Sequence, residues 1–370
     1  MKIIYLARRP IPSVNAHSVQ IVKMSEAFGK LGHDVLLLAH RGDDESRHVY
    51  ARYGVDQAFA IESFPKRSQK LRKWRFGAFL LRHPAVRAAD LFFGRDIFSL
   101  AVAARLGKPV IFEAHTIPPK GTWRWRRLEG LFAAPNFSHL ICVTSTLAET
   151  YRRAFKALAG KPVVVVPNAA AEVRSCAELT DWPGRDGATQ IGFVGRPFAG
   201  KGIEMMINAA ATLPDHDFHV VGASDADLHW IEDRIPANLH LHGYQAHSKL
   251  GAYLRKFDVA VAPYGAKVMN SSGVESAAIT SPLKLLEYMA AGLPIIVSDL
   301  PGVRDILPDE HAAILVEPGN LNSFVIAVES LALDPCRRAA MGNAARELYV
   351  ERFTTQSRAR AVLANLAYCS

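Results

Sequence analysis

The chain has 370 residues, of which 49% are hydrophobic, and it carries a formal net charge of +9. That length exceeds what one hydrophobic core usually serves, so two globular domains are predicted and a small or disordered protein is excluded. No apolar run reaches about 18 residues, and the run before Arg8 is too short for a signal peptide, so no membrane span is expected. The four cysteines form no C-x-x-C pair, which argues against a disulfide framework or a zinc site and fits a reducing cytoplasm.

Short apolar runs alternate with helical patterns throughout the chain. The predicted strands are Lys2–Ala7, Asp34–Ala39, Asp90–Arg95, Pro109–Ala114, His139–Thr144, Val163–Pro167, Ile191–Gly195, Phe218–Gly222, Leu239–Gly243, Val259–Pro263, Ile295–Asp299 and Ala313–Glu317. This alternation is typical of a doubly wound α/β fold, and it occurs twice. We predict an N-terminal domain over residues 1–170 and a C-terminal domain over residues 185–350, with a helix over 350–370 that can pack back on the first. The polar, turn-rich stretch Glu178–Gln190 is the predicted linker.

Positive charge is concentrated in the first half. Residues 1–160 hold 26 Lys and Arg against 12 Asp and Glu, a net charge of +14, whereas residues 161–370 have a net charge of −5. Two basic segments that contain tryptophan, Lys66–Arg82 and Lys120–Arg127, hold much of the excess. Such segments suit an anionic membrane surface, where the rings lie at the headgroup level. Nucleic acid binding, and solvated helices with their aromatic rings in the core, are the alternatives.

His115 follows the predicted strand Pro109–Ala114. It therefore lies at the carboxyl edge of a parallel sheet, where open α/β sheets bind ligands. A loop histidine without a role is the alternative interpretation.

The segment Gln190–Gly202 reads as a strand ending in Gly195, a loop with Arg196, Gly200 and Lys201, and the start of a helix. Glycines let the backbone approach a phosphate closely, and the two cations neutralise it. The spacing resembles a nucleotide-triphosphate P-loop, but Gly202 stands where that motif needs Ser or Thr to hold magnesium. The segment therefore predicts a phosphate-binding loop without a metal ligand.

Two acidic stretches have a simpler interpretation. Asp215-His216-Asp217 has the D-x-D pattern of metal-using transferases, but it precedes a strand in a turn led by proline, so we interpret it as a surface turn. Asp43-Asp44-Glu45 is interpreted as a solvated loop.

The stretch Ser281–Leu307 predicts a helix, a buried strand and the start of a second helix. Leu283, Leu286, Met289 and Ala290 form the core stripe of the first helix, and Glu287 lies off that stripe. The helix start offers free N–H groups to an anion, and Lys284 adds a full charge there. A surface helix with solvated Glu and Lys is the alternative.

These segments together resemble the donor-binding half of the retaining, group 1 glycosyltransferases of the GT-B fold. The resemblance rests on FVGRPFAGKGIEMMINAA, DVAVAPY and SPLKLLEYMAAGLPIIVSDLPGVRDIL, which keep the family's order and approximate spacing. It implies an α/β protein with two doubly wound, Rossmann-like domains facing across a cleft. It also extends over the N-terminal half, where KIIYLA, a loop and a helix lead into Gly32-His33-Asp34-Val35.

The resemblance also implies roles for individual residues. Arg196 and Lys201 grip the donor diphosphate, Glu287 holds the nucleotide ribose, and His115 approaches the donor sugar. The residues expected to line the donor site are Gly195, Gly222, Gly243, Ser281, Pro282, Leu283 and Lys284. His17 and Asn15 belong to the loop near the acceptor, where Asn15-Ala16 replaces the paired glycines that are common in the family.

One departure concerns the donor sugar. Most family members carry a second glutamate eight residues before the one at Glu287, and this chain has Ile279 there, with Glu275 out of register. Altered sugar contacts are expected, and a protein without catalytic activity is an alternative.

The expected activity is transfer of a hexose from a UDP- or GDP-linked sugar to a hydroxyl acceptor, with retention of configuration and without a metal. The acceptor is expected to be lipid-linked or a cell-surface glycan precursor, and the enzyme to be cytoplasmic and peripheral on the inner face of the membrane. No cofactor or nucleic acid partner is expected. A sugar-nucleotide epimerase and a non-catalytic nucleotide-sugar-binding protein are the rival classes.

Overall fold

The structure is a computed structural model that describes residues 1–13, 16–41, 49–64, 72–173, 179–196, 200–222, 235–245, 249–268, 281–364 and 366. The chain divides into two compact units. The first unit contains Met1–Pro167 and Thr355–Ser370, and the second contains Asn168–Thr354. The chain therefore passes from one unit to the other after Pro167 and returns after Thr354.

The first unit is built on a parallel sheet that has seven strands within the described residues. The strands are β1 Lys2–Ile11, β2 Asp34–Arg41, β3 Ala60–Phe64, β4 Leu91–Gly94, β5 Val110–Ala114, β6 Phe137–Cys142 and β7 Val163–Val165. Their order across the sheet is β3-β2-β1-β4-β5-β6-β7, which is a doubly wound arrangement with a reversal beside β1. Residues such as Ile3, Tyr5 and Ile111 are fully buried, because helices cover both faces of such a sheet.

The helices of the first unit are α1 Ala16–Lys30, α2 Val49–Tyr53, α3 Arg72–Arg82, α4 Pro84–Arg87, α5 Ile97–Ala103, α6 Trp123–Ala133 and α7 Ser145–Ala154. Asp96, Thr122 and Thr144 cap α5, α6 and α7 by accepting hydrogen bonds from backbone N–H groups of the first turns. The local sequence therefore fixes where these helices begin.

The second unit repeats the architecture around a parallel sheet with six strands in the described part of the chain. The strands are β8 Gln190–Val194, β9 Asp217–Val221, β10 Leu239–Leu241, β11 Val259–Ala262, β12 Ile295–Ser298 and β13 Ala313–Val316, in the order β10-β9-β8-β11-β12-β13. The helices are α8 Ile203–Thr212, α9 Leu250–Leu254, α10 Leu283–Ala290, α11 Pro301–Arg304, α12 Leu321–Ala332 and α13 Pro335–Leu348. The chain then passes through a π-helical turn, Tyr349–Phe353, to α14 Thr355–Leu363.

The prediction of two doubly wound α/β domains is confirmed. Each predicted strand has a counterpart, with ends that differ by a few residues. The strand Ala60–Phe64 was not predicted, because it lies at a sheet edge and its residues are exposed or half-buried, which weakens the apolar pattern.

The C-terminal helix α14 belongs to the first unit, where it packs against α1. His139 of β6 hydrogen-bonds the Val362 carbonyl through Nε2 at 3.0 Å, and the buried Arg358 guanidinium donates to the Pro167 carbonyl at 2.7 Å. The last helix is therefore tied into the first unit by buried polar contacts as well as by packing.

The predicted linker Glu178–Gln190 is wrong for its described part, because residues 179–190 fold onto the second sheet. Trp182 stacks on His219 at 4.1 Å between ring centroids and donates to Gln190 at 3.1 Å. Arg185 pairs with the buried Asp217 at 2.9 Å. A polar, turn-rich composition marks a change of direction here, and the aromatic ring anchors the turn.

Some aromatic residues of the two basic segments are buried in the core, so they are not available to a membrane surface. Phe76 of α3 is fully buried against His40 and Phe64, and Trp125 of α6 is buried and stacked on Phe155 at 4.3 Å. Trp123 is exposed by 42%. The side chains of 66–74 lie outside the described residues, as do Asp43-Asp44-Glu45. No helix among the described residues has both the length and the apolar character needed to cross a bilayer.

Candidate active site

Three glycines mark the carboxyl ends of neighbouring strands in the second unit. Gly195 follows β8, Gly222 follows β9 and Gly243 lies just beyond β10. The Gly195 amide donates to the Val221 carbonyl, and the Gly222 amide donates to the Gly243 carbonyl, both at 2.8 Å. Gly222 has φ of 109°, and a Cβ there would lie 3.2 Å from the Gly195 backbone carbon, so both its backbone conformation and the close approach of the chains favour glycine. The glycines therefore open a backbone-lined edge at the place where such sheets bind ligands.

A cationic loop continues from this edge into α8. Gly200 has φ of 74°, and a Cβ there would lie 1.9 Å from the Lys267 carbonyl oxygen, so the turn accepts only glycine. Burial, followed by the charge of Arg196, lowers the pKa of Lys201. Two cations are thus close enough to repel each other at the start of a helix whose first residue follows Gly202. An anion placed there would relieve that repulsion.

Helix α10 begins beside the same edge. Pro282 precedes its first turn, and no side chain among the described residues caps the helix, so N–H groups of its first turn are available to an anion. Ser281 is held by Asn168, whose side-chain amide donates to the Ser281 carbonyl at 3.0 Å. Leu283 is half-buried, in the first turn of the helix. The residue before the helix is therefore held by hydrogen bonds with Asn168.

Lys284 extends from α10 to the edge of the sheet. Its Nζ is buried and has no hydrogen-bond partner among the described residues, although the residue as a whole is only partly buried. The Nζ lies 3.6 Å from the centroid of the Phe193 ring, and a Cβ on Gly195 would be 3.2 Å from it. Burial, followed by the charge of Lys201, lowers the pKa of Lys284 well below its usual value. A buried ammonium that contacts aromatic rings and makes no hydrogen bond within the described residues is suited to receive an anion.

Tyr288, which sequence reasoning missed, fixes α10 against the sheet. Its hydroxyl accepts from the Val194 amide at 2.8 Å and donates to the Val261 carbonyl at 3.2 Å. Glu287 precedes it and is half-buried, whereas Leu286 and Met289 lie in the core as predicted. One buried tyrosine thus sets the position of both Lys284 and Glu287.

The corresponding edge of the first unit holds a different set of charges. His115 follows β5, and its Nε2 contacts Oε1 of the buried Glu113 at 2.5 Å. Arg95, after β4, pairs with the same oxygen at 2.7 Å. Burial, followed by the charge of Arg95, lowers the pKa of both His115 and His17 to about 4. These lowered pKa values favour the neutral form of both imidazole rings at physiological pH.

The predicted site residues fall into two groups. The second unit brings together Gly195, Gly222, Gly243, Arg196, Lys201 and Lys284, with Ser281, Pro282, Leu283 and Glu287 on the adjoining helix. The first unit places His17 near His115, through their shared neighbour Arg95. Asn15, Glu275 and Ile279 lie outside the described residues, and the functional roles themselves stay predictions.

Four residues of these edges were not predicted from the sequence: the half-buried Arg95 and the buried Glu113, Tyr288 and Arg358. The signal for Glu113 was a single acidic residue inside the apolar strand run Val110–Ala114, since a buried carboxylate needs partners. No local pattern indicates Arg358, because it meets Glu113 across 245 residues of chain.

The interpretation of Asp215-His216-Asp217 as a surface turn holds only for its first residue. Asp215 is exposed, but Asp217 is fully buried as the first residue of β9 and accepts from the Arg185 amide and guanidinium. The second aspartate of the motif, Asp217, therefore forms a structural ion pair with Arg185. Within the described parts of the chain, no group of three or more His, Cys, Asp or Glu side chains is arranged to hold a metal ion.

The two parallel-sheet units place the fold in the GT-B class. The chain matches the structure of Anabaena HepE in complex with UDP with a TM-score of 0.73 and 15% identity over 100% of both chains. It matches sucrose-phosphate synthase from Thermosynechococcus elongatus with a TM-score of 0.70 and 17% identity, over 97% of this chain and 96% of the other. At these identities the likeness shows the fold alone.

Sequence comparison gives the family. Residues 188–334 match the profile "Glycosyl transferases group 1", and residues 17–171 match "Glycosyltransferase Family 4". The phosphatidyl-myo-inositol mannosyltransferase of Mycobacterium tuberculosis is 31% identical over 205 residues, which are 51% of this chain and 51% of the relative. The chain thus spans about half the length of the curated relatives it matches. With profiles matching both units, the chain belongs to the group 1 glycosyltransferases.

Proposed function

We propose that the protein transfers a hexose from a nucleotide diphosphate sugar to a hydroxyl acceptor, with retention of configuration and without a metal ion. The observation that carries the proposal is the Nζ of Lys284, which is buried beside the glycine-lined edge of the second sheet and makes no hydrogen bond to any described residue. Besides burial, the charge of Arg196 lowers the pKa of Lys201, and the charge of Lys201 lowers the pKa of Lys284, so the three cations lie in the same region. An anionic donor group would reduce the mutual repulsion of these three cations.

The diphosphate is the part of the donor that matches this site. Negative charge builds up on it as the bond to the sugar breaks, while the anomeric carbon becomes oxocarbenium-like. Preorganised cations and helix N-termini stabilise such developing charge without reorganising during the reaction. In the proposed reaction the bond between C1 and the diphosphate oxygen breaks, and the acceptor oxygen bonds to C1 on the same face. The acceptor proton leaves with the diphosphate.

Glu287 suits the nucleotide ribose. It lies one helical turn after Lys284 on α10, it is only half-buried, and a carboxylate accepts hydrogen bonds from vicinal hydroxyls. The family position at Glu287 has this role, which supports the same assignment here. The base stays open between uracil and guanine; the UDP complex of HepE makes UDP the first nucleotide to test.

The acceptor proposal rests on the basic face of the first unit. Arg124 and Arg126 are exposed on α6 beside the exposed Trp123, and the phosphatidyl-myo-inositol mannosyltransferase that is similar to this chain acts on a lipid by its name. An exposed tryptophan among arginines suits the headgroup region of an anionic membrane. We therefore propose a lipid-linked acceptor and peripheral binding at the membrane surface.

The donor test uses a panel of UDP, GDP and ADP sugars. Thermal shift identifies the nucleotide, because ligand binding to the folded state raises the unfolding temperature by mass action. Transfer is then measured with the identified donor and with detergent-solubilised membrane lipids as acceptor. Conversion of the donor alone would indicate an epimerase, and binding without turnover would indicate a non-catalytic protein. Absence of binding to every nucleotide sugar contradicts the proposal.

The membrane test is cosedimentation with vesicles that contain anionic lipid. We expect wild-type protein to sediment at low salt and to be released at about 1 M salt, where the Debye length is about 3 Å. Replacing Arg124→Glu and Arg126→Glu should abolish sedimentation. The matched control makes the same charge change at Arg105 and Lys108, which are also exposed but precede β5 at the opposite edge of the sheet. Equal sedimentation of both variants would refute α6 as the contact.

A further inference from the structure

Glu113 is a carboxylate buried inside the first sheet. It lies in β5, its side chain is fully inaccessible, and every residue of that strand is buried. Burying a charged group is costly unless it is both paired and hydrogen-bonded. The position therefore requires specific partners, which come from three separate parts of the chain.

Arg95 and Arg358 are the charged partners. Arg95 follows β4 and reaches Oε1 of Glu113 at 2.7 Å, while Arg358 of α14 reaches Oε2 at 3.2 Å and Oε1 at 3.1 Å. Arg358 is only 2% exposed, and its Nε donates to the Pro167 carbonyl at 2.7 Å. The C-terminal helix thus delivers a fixed charge to the end of a central strand.

The third partner is His115, whose Nε2 contacts Oε1 of Glu113. Burial raises the pKa of Glu113, but the charges of Arg358 and Arg95 and the His115 contact together lower it well below the usual value. An ionised carboxylate can only accept hydrogen bonds, so Nε2 of His115 carries the hydrogen. In a neutral imidazole the other nitrogen, Nδ1, then holds a lone pair, and it makes no hydrogen bond within the described residues.

We propose that Glu113, held ionised by Arg95 and Arg358, is a positioning residue that keeps His115 in the Nε2-protonated form, so that Nδ1 accepts a hydrogen bond from a substrate hydroxyl. The ring is 28% exposed at the carboxyl edge of the sheet, so a ligand can reach it. The hydrogen bond from a substrate hydroxyl to Nδ1 rests on the proposed function. The assignment of the His115 tautomer, and of Glu113 as its cause, is independent of that function.

The tautomer is measured in the ligand-free protein by proton–nitrogen correlation of its 15N-labelled histidines, with His115→Ala to assign the signal. At pH 7 we expect a protonated Nε2 and an unprotonated Nδ1 at His115. An imidazolium, or a proton on Nδ1, would overturn the proposal. This measurement needs no substrate. A protein that failed to transfer sugar would therefore refute the proposed function without affecting the assignment of the His115 tautomer.

A double-mutant cycle tests whether Glu113 acts through His115. Glu113→Gln keeps the shape of the side chain and removes the charge that fixes the ring. We expect kcat to fall roughly 10- to 100-fold, as for other partners that orient a functional histidine, with a smaller change in KM. In the His115→Ala background the same change should reduce kcat by less than about threefold, because Glu113 affects the reaction through the His115 ring, which is then absent.

An equal loss in both backgrounds would show a structural role and overturn the proposal. The control is Glu149→Gln, a surface carboxylate on α7 that pairs only with Arg153 among the described residues. If Glu113→Gln does not fold, Arg358→Lys gives a second test, since it keeps the charge but loses the planar fork that holds both carboxylate oxygens. It should shift the His115 nitrogen signals, and unchanged signals would count against the proposal.

Discussion

Lys284 in the second unit and Arg358 in the first are both buried cations near the carboxyl edge of a parallel sheet, yet their surroundings are opposite. Arg358 has a carboxylate, Glu113, and a backbone carbonyl within hydrogen-bond distance. Lys284 has two aromatic rings and no hydrogen-bond partner in the described part of the chain. A buried charge whose counter-ion belongs to the fold is costly to expose by removing that partner, whereas a buried charge without a hydrogen-bonded counter-ion is suited to a ligand.

The same contrast extends to the neighbours. Near Arg358, burial and the charge of Arg95 lower the pKa of His115, and the contact with Glu113 orients its ring, which suits hydrogen bonding. Among the charges that act on the pKa of Lys284, the one with the largest influence is another cation, Lys201. The same parallel-sheet architecture therefore has a carboxyl edge with a buried ion pair in the first unit and one with neighbouring cations in the second. The difference lies in a few side chains.

Removal of Arg358 should have the largest effect, and it should be on stability. Arg358→Met leaves Glu113 buried with less positive charge around it, which typically costs about 3–5 kcal/mol when one partner of a buried pair is removed. Urea unfolding monitored by circular dichroism measures the free energy of unfolding. Arg360→Met is the control, because Arg360 lies on the same helix and is exposed. Equal stability of the two variants would contradict the structural half of the comparison.

Removal of Lys284 should act on the reaction instead. Lys284→Met keeps an extended side chain over Phe193 and deletes the charge, so transfer should fall by about 10²-fold, as for loss of one preorganised group on a leaving anion. Arg196→Ala and Lys201→Ala should cause losses of the same order. Stability of Lys284→Met without ligand should be unchanged or higher, since a buried unpaired charge is removed. Near-normal turnover, or marked loss of stability, would show that Lys284 is structural.

Glu287 should have a smaller effect that is confined to binding. Glu287→Gln removes a charged hydrogen-bond acceptor, so the affinity for the donor nucleotide should weaken by about 1–3 kcal/mol. Calorimetric titration measures this, and the unfolding temperature of the ligand-free variant serves as control. A variant with normal affinity and reduced stability would assign Glu287 to the fold.

The smallest effect is the dependence of stability on pH. Burial and the charge of Lys201 lower the pKa of Lys284, while Glu287 raises it by less. The unfolded chain then binds more protons at this site than the folded chain. The free energy of unfolding should therefore rise with pH from the lowered pKa up to about 10.4, the usual value for lysine.

Comparison with Lys284→Met separates this contribution from that of other titrating groups. The stability difference between Lys284→Met and wild type should shrink as the pH is raised from 7 to about 9.5. A difference that stays constant would mean that Lys284 does not titrate in this window.

Sequence reasoning predicted what is encoded locally. The glycine and cation spacing of Gln190–Gly202 predicted a strand, a loop and a helix that the structure contains in that order. Leu286 and Met289 marked the buried face of α10 because helical periodicity is a local property. The pair Glu113–Arg358 could not be predicted in this way, since its members are joined only by the folded first unit. The strand Ala60–Phe64 was missed because an edge strand buries too little to leave an apolar pattern.

The central claim is that the second unit binds a nucleotide diphosphate through Lys284 without a metal ion. Titration calorimetry of UDP and GDP in the presence of EDTA tests it most directly, with wild type, Lys284→Met and the exposed control Lys249→Met. We expect one nucleotide to bind equally to wild type and to Lys249→Met in EDTA, and to bind about tenfold or more weakly to Lys284→Met. Binding that requires added magnesium or manganese, or equal affinity of Lys284→Met, would contradict it.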